Sequence, residues 1–305
     1  MGNERDIRER TVEINIAGDP ATRPFHGDPK DDALHFSPLR MILPDAPRLM
    51  EFTNWDVFEG TLLAVVVQEG DKFSMIGSAV LVAPGVAFGA VHVLKEEHEA
   101  LKTGAMKAAC IGFTGHGSMC WEILHNTRVL NSDLCILGLR FVSGLPPDRI
   151  FKCAFLTTRL PAVGERLVIA GFRGGANEFI VTPDGKLEIT ATPLLTSGTV
   201  LKMLPTTQGT LVEIDCPLLG GMSGGPVYDT EGRLIGVSRS EWNLTSTYAS
   251  PMWPALAHPF SGGWPPMLSA PNHRLIDYWP IERADALKLE PNGDGTSTLT
   301  YKPWT

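Results

Sequence analysis

Three short segments carry side chains whose types and surroundings suit nucleophilic chemistry. The first is CPLLGGMSGGPVYD, residues 216–229. A serine becomes a nucleophile when it sits on an exposed tight turn, beside a base, with backbone N–H groups aimed at the developing oxyanion. Ser223 stands between Gly221 and the Gly224-Gly225 pair, which permit unusual dihedrals and leave no side chain between main chain and substrate. The plainer reading is a surface Gly/Ser loop closed by Pro226. The second segment is VAFGAVHVLK, residues 86–95, where His92 ends an apolar strand and opens a short helix. That position holds an imidazole at a strand end facing a cleft, although a lone histidine there is more often a satisfied core residue. The third is NSDLCILGLR, residues 131–140, in which Asp133 precedes an alternating apolar strand at the rim of a core. Cap or turn duty is the ordinary role of such an aspartate.

Other titratable residues compete less well. His98 lies in the charged stretch KEEHEA, while His116 and His125 flank a Gly-rich turn and a strand, without the strand-end setting of a base. Asp148 and Asp184 fall in turn sequences, PPD and PDG. Asp215, eight residues before Ser223, is expected to brace the loop rather than to touch substrate.

The elements that must position these residues are short and β-like. From about Glu59 the chain reads as apolar runs at 61–68, 73–83, 106–113, 133–140, 165–172, 209–215 and 232–240, bounded by Gly, Pro, Asp or Asn. Helical periodicity appears only over 92–102. Many short strands with almost no intervening helix indicate an all-β antiparallel sandwich or pair of barrels, not a parallel α/β sheet. Residues 1–50 are polar and punctuated by proline and read as an arm, residues 51–250 as the domain. Residues 251–305 turn Pro/Trp-rich (PMWPALAHPF, GGWPPM, YWPIE) and are expected to wrap the outside of that domain or to offer a docking surface. No internal repeat is visible.

Composition excludes several functions. A formal net charge of −8 without any dense Lys/Arg run argues against binding nucleic acid or anionic lipid. The most apolar window, 78–94, contains Pro84, Gly85, Gly89 and His92, a poor membrane span and a good buried sheet. The N-terminus, MGNERDIRER, lacks the apolar stretch of a secretory signal, and Asp6 occupies the place where myristoylation wants Ser or Thr. Five cysteines, an odd number without metal-type spacing, are read as mostly buried thiols in a reducing compartment. A cytoplasmic protein is the expectation.

Together the three segments resemble the chymotrypsin/trypsin-like serine protease clan, closest in style to bacterial HtrA-like and trypsin-like peptidase domains. The order His, Asp, Ser is that clan's. The separations are 133 − 92 = 41 and 223 − 133 = 90 residues, near the roughly 45 and 93 of chymotrypsin. GMSGGP is similar to the clan's G-x-S-G-G-P, AVHVL to its Thr-Ala-Ala-His-hydrophobic signature, and SDLCIL to its Asp-hydrophobic-Ala-hydrophobic-Leu. VIAGFRGG (168–175) and LTSGTV (195–200) resemble further HtrA-type stretches, so the likeness covers roughly residues 60–240. It implies two packed six-stranded antiparallel β-barrels with the active site in the cleft between them. It implies a serine endopeptidase with His92 as base, Asp133 as orienting acid, and Gly221 and Ser223 N–H groups as oxyanion hole. Leu218, Leu219 and Gly220 would line the primary pocket, and Ser238, Arg239 and Ser240 would lie on the strand that pairs with substrate main chain. No metal or organic cofactor is needed, and the partner is a polypeptide substrate.

Three departures qualify the likeness. Ala90-Val91 replaces the usual Ala-Ala, and Met222 stands where secreted members carry an aspartate. The residues after the core leave no room for a PDZ-like domain. With Met222 in place, the nucleophile loop must be set by its glycines, by packing of Met222, or by a partner that closes it. By analogy alone, a partner-regulated stress or defence effector is one expectation. Two other readings remain open: a catalytically silent protease-like binding module, and an α/β-hydrolase-type esterase, since GMSGG also satisfies G-x-S-x-G. The latter fold requires a helix directly after the serine.

Overall fold

The computed structural model describes residues 12–15, 33–114, 117–130, 132–143, 150–174, 178–181, 187–206, 209–239, 245–260, 274–278, 281–282, 287–291 and 297–301. Two sets of six strands dominate. The first set is β1 (Leu62–Glu69), β2 (Lys72–Ala83), β3 (Val86–Ala90), β4 (Lys107–Thr114), β5 (Gly117–Arg128) and β6 (Leu134–Phe141). The second is β7 (Arg166–Phe172), β8 (Pro193–Thr206), β9 (Gly209–Ile214), β10 (Pro226–Asp229), β11 (Leu234–Arg239) and β12 (Thr247–Pro251).

The first set closes as β1-β2-β3-β6-β5-β4, with β4 returning to pair β1. The second runs β7-β8-β9-β12-β11-β10, with β10 returning to β7. Every pairing within the two rings is antiparallel, and the strand order is the same in both, although no sequence repeat betrays it. Closure removes the exposed edges that an open antiparallel sheet would leave. The all-β double barrel expected from the sequence is therefore the fold, and the α/β-hydrolase alternative fails: the chain after Ser223 enters β10, not a helix.

Hydrophobic alternation and β-branched content explain the strands that the sequence revealed. β1, LLAVVVQE, is buried along most of its length and paired on both sides. Three strands were poorly visible. β5 exposes its second half, so GSMCWEILHNTR carries no apolar run. β8 is long and exposed at its far end, and only its buried start stood out. β12 is the polar-looking TYASP, buried because β9 and β11 flank it.

Each barrel encloses a core, and one of the cores bridges to its neighbour. Val65, Leu81, Phe88 and Leu137 fill the first, and Leu167, Ile169, Val200, Ile214 and Val227 the second. Phe172, Tyr228 and Val237, from the second set of strands, pack into the first cluster, with the Phe172 ring 5.6 Å from that of Phe113. The flanking chain fastens the pair. Residues 41–52 run over the second barrel through Met41 N–H to Gly232 O, Ser197 N–H to Ala46 O and Phe52 N–H to Pro193 O. Beyond β12, Met252, Ala255, Leu256, Leu275 and Ile276 pack into the first cluster. Among the described residues no helix is long and apolar enough to cross a membrane.

Candidate active site

β3 and β6 are antiparallel neighbours whose register ends at Ala90 opposite Leu134. His92 follows the end of β3 and Asp133 precedes the start of β6, so the pairing brings residues 41 positions apart to the same end of the same barrel. Val91 N–H donates to the Asp133 carbonyl at 2.7 Å, extending the ladder by one bond. A short 3-10 turn, Val91–Leu94, then carries the imidazole, with Val93 and Leu94 buried beneath it. His92 Nδ1 and Asp133 Oδ2 lie 2.7 Å apart. The carboxylate can only accept, so Nδ1 carries the proton and Nε2 is left with a lone pair. Among the described residues Nε2 is buried and has no hydrogen-bond partner, Ser223 included. Such bonds commonly close only when substrate binds.

Ser223 belongs to the segment between β9 and β10 and sits where the second barrel meets the first. Its carbonyl accepts from Ser78 N–H of β2 at 2.8 Å. The next residue, Gly224, has φ +81°, and a Cβ there would stand 2.2 Å from Ser78 O and 2.9 Å from Ala90 N. Only glycine fits, and the loop thereby abuts the strand end that carries His92. The sequence suggested an exposed turn; Ser223 is instead only 6% exposed, because both barrels cover it.

Every carbonyl of residues 219–223 is engaged. Leu219 O accepts from Met222 N–H at 3.1 Å, Gly220 O from Gly174 N–H at 2.7 Å, and Gly221 O from Ser78 Oγ at 2.7 Å. Met222 O accepts from Gly225 N–H and Ser238 Oγ, and Ser223 O from Ser78 N–H. In a planar trans peptide the N–H points opposite to the C=O. Anchoring Gly220 O and Met222 O therefore turns the N–H groups of Gly221 and Ser223 the other way. Neither donates to any described residue. Gly221, at φ +93°, makes this possible: a Cβ there would lie 2.2 Å from Gly174 N. Met222 is fully buried in the second core, against Gly171, so packing and hydrogen bonds set the loop from within the chain.

The expected substrate residues divide. Leu218 packs into the second core, Leu219 is partly buried against it, and Gly220 is exposed with open space at its Cα. Ser238 is committed inside the protein. Its N–H donates to Gly225 O, its carbonyl accepts from Gly224 N–H and its hydroxyl donates to Met222 O, so it holds the loop and has no donor left for substrate. Arg239 turns toward the first barrel, its Nε 3.6 Å from Asp133 Oδ2. Ser240 lies outside the described residues, as do His116, Asp148 and Asp184. Asp215 is exposed, and its backbone N–H binds Thr199 O. His98 and His125 are exposed on the first barrel. His258 follows the short helix Trp253–Leu256, and burial holds its imidazole below the ordinary value.

All five cysteines are free thiols. Burial pushes Cys135, two residues from Asp133, up to about 12 and Cys216 up to about 11, which keeps both protonated and unreactive at neutral pH. Sequence reasoning missed Ser78 and Gly174. Ser78 belongs to no recognised signature and Gly174 only to the VIAGFRGG stretch, which gave it no task, and their role arises only where two barrels touch.

Two closed six-stranded antiparallel barrels, with these side chains at their junction, define the chymotrypsin-like class of fold. The chain belongs to the trypsin-like peptidase domain family, whose model matches residues 77–237, a span that includes His92, Asp133 and Ser223. No curated protein matches it in sequence. Among solved structures it is similar to the MamO protease domain of Magnetospirillum magneticum, with 14% identity, 64% of this chain and 93% of that one covered, and a TM-score of 0.41. The active form of the Rv3671c protease of M. tuberculosis is 16% identical over 65% of this chain and 78% of that one, TM-score 0.42. A serine endoprotease of Yersinia pestis is 16% identical over 64% and 60%, TM-score 0.39.

Proposed function

We propose that the protein is a serine endopeptidase in which Ser223 is the nucleophile, His92 the general base and Asp133 the residue that orients it. The observation that carries this reading is the 2.7 Å contact between His92 Nδ1 and Asp133 Oδ2. It fixes the one tautomer whose Nε2 can take a proton, at the barrel junction where Ser223 lies. His92 Nε2 removes the Ser223 hydroxyl proton as Oγ attacks a peptide carbonyl. The tetrahedral oxyanion is met by the Gly221 and Ser223 N–H groups. The imidazolium then passes its proton to the amine as the C–N bond breaks, leaving an acyl-enzyme. Water repeats the sequence, giving its proton to His92 and its oxygen to the acyl carbon, and Ser223 is regenerated.

The substrate class supported is polypeptide, cleaved after small or medium apolar residues. Pro217, Leu218, Leu219 and Gly220 lead to the nucleophile and none is acidic, so a bare guanidinium entering there would lose its hydration uncompensated.

The test is covalent labelling by a fluorophosphonate, combined with proteome-wide mapping of new termini for the wild type against Ser223→Ala. Labelling at Ser223 and termini that appear only with the wild type are the expected results. An unlabelled, inert wild type would make the chain a protease-like binding module. Turnover of small esters without peptide cleavage would also sink the proposal.

A further inference from the structure

Ser78 holds the oxyanion loop from the opposite barrel, and it figured in no sequence motif. It lies in β2, fully buried, opposite Ala64 of β1. Three of its contacts reach the second barrel. Its N–H donates to Ser223 O at 2.8 Å, its Oγ donates to Gly221 O at 2.7 Å, and the same Oγ accepts from Phe172 N–H at 2.9 Å. The directions are forced. A backbone N–H can only donate, so Phe172 occupies a lone pair of the hydroxyl, and the hydroxyl's one proton goes to the Gly221 carbonyl, which can only accept. The hydroxyl therefore ties the end of β7 to the middle of the nucleophile loop, while the Ser78 N–H pins the nucleophile's own carbonyl.

The consequence for chemistry follows from peptide planarity. Gly221, at φ +93°, bears one oxyanion donor on the peptide before it, and the peptide after it leads through Met222 to the other donor, the Ser223 N–H. The peptide before it is held through Gly220 O on Gly174, and the one after it through Gly221 O on Ser78. Without the Ser78 hydroxyl, the half-buried Gly221 O would lose its donor. A buried unpaired polar group is costly enough to drive local rearrangement. The rotation that relieves it turns the peptide that carries the Met222 N–H, takes that N–H off Leu219 O and loosens the segment between the Gly221 and Ser223 N–H groups.

We infer that Ser78 is a positioning residue that sets the oxyanion donors from the first barrel, so that the loop is competent without a partner to order it. This inference rests on the endopeptidase reading above. It does not require Ser78 to touch substrate.

The test compares the full-length wild type with Ser78→Ala, Ser78→Cys and Ser197→Ala. Ser197 is a buried serine of the second barrel whose hydroxyl accepts from Ala46 N–H and donates to Asp45. It controls for loss of a buried hydroxyl far from the loop. All rates are divided by the folded fraction, read from tryptophan fluorescence. For Ser78→Ala, kcat should fall on the order of 10²-fold, the usual loss for one oxyanion donor, with KM nearly unchanged. Affinity for a peptide boronate, whose boron bonds Ser223 Oγ and places an oxygen among the donors, should fall by a similar factor. Affinity for a product peptide should hold. Ser78→Cys, which keeps a weak donor, should fall between, and Ser197→Ala should keep kcat and boronate affinity.

The inference is overturned if Ser78→Ala, or Ser78→Cys where the alanine variant does not fold, matches Ser197→Ala in kcat and boronate affinity. It is also overturned if a protein partner restores the wild type from inactivity. A wild type that neither cleaves peptides nor labels at Ser223 removes the endopeptidase reading itself, and this inference with it.

Discussion

Asp133 meets two cationic or proton-bearing groups at a single oxygen. Oδ2 lies 2.7 Å from His92 Nδ1 and 3.6 Å from Arg239 Nε. The first contact sets the tautomer, and the second adds a fixed positive charge beside a mostly buried carboxylate. Ser223→Ala and His92→Ala are each expected to lower kcat by about 10⁶-fold, and Asp133→Asn by about 10⁴-fold, with unchanged folding. Near-wild-type peptidase kinetics in any of them would remove that residue from the mechanism. Arg239 acts at one remove. Its pair with Asp133 is partly solvated, so Arg239→Gln should lower kcat only by roughly 3- to 10-fold, the scale of about 1 kcal/mol for such pairs. A loss as large as that of Asp133→Asn, carried mainly in KM, would instead mean that Arg239 contacts substrate.

At the scale of the element, the loop between β9 and β10 is notable for how little freedom it keeps. Its carbonyls are anchored on Gly174, Ser78, Ser238 and on the loop itself, and Met222 fills the second core. Met222 is where a secreted relative's aspartate would pair with a freshly cut α-amino group. A thioether cannot make that pair, and a buried ammonium without a counter-charge costs several kcal/mol. The loop is instead set by packing and hydrogen bonds. Gly221→Ala should therefore act like loss of an oxyanion donor, lowering kcat on the order of 10²-fold, because its Cβ would drive into Gly174 N. The segment leading into the loop predicts specificity as well. In a peptide library, cleavage should follow small or medium apolar residues, and strict cleavage after Arg or Lys would show that Asp215 swings into the pocket.

Across the whole molecule, the flanking chain and one ionic cluster hold the barrels in place. Asp229, at the end of β10, is buried and accepts from the guanidinium groups of Arg159 and Arg233. Arg233 reaches on to Glu282, which also pairs with Arg40, so the cluster joins the lead-in, the second barrel and the chain beyond it. Burial by itself would raise the Asp229 carboxyl, but hydrogen bonds from the Arg233 backbone and from both guanidiniums outweigh it and hold the group below its ordinary value of 3.8. The folded value is thus the lower one. The stability that this contributes is fully present above the ordinary value and is lost as pH falls through the folded one. Urea midpoints should fall in the wild type as pH drops below that ordinary value and through the lower folded one. Asp229→Asn should lower stability by about 3 kcal/mol at pH 7 and flatten that dependence. An equally steep acid limb in the variant would assign it to other carboxylates. Trimming the chain before Ala33 should leave fluorophosphonate labelling unchanged, while removal through Phe52 should lower Tm by deleting the clasp on the second barrel. Labelling that appears only after one specific cut, and that acetylation of the new amine abolishes, would overturn the view of the loop taken here.

The sequence by itself determined the strands of the first barrel's core and the glycine turn around Ser223, and it named Ser223, His92 and Asp133 as candidates. Each of these is local: alternating apolar residues report a buried face, glycines report a tight turn, and a histidine at a strand end reports a cleft. It did not determine β5, β8 and β12 in full, because exposed or short strands carry no apolar run and gain their order from neighbours across the sheet. Nor did it assign Ser78, Gly174, Ser238 or Arg239 their tasks. Those tasks are hydrogen bonds and charge contacts between residues 13 to 145 positions apart, in directions set by barrel closure and by the docking of one barrel on the other. A side chain's type says which bonds it can make. Only the tertiary structure decides which partner is within reach, and so turns a buried serine of one barrel into a support of the loop that carries Ser223 in the other.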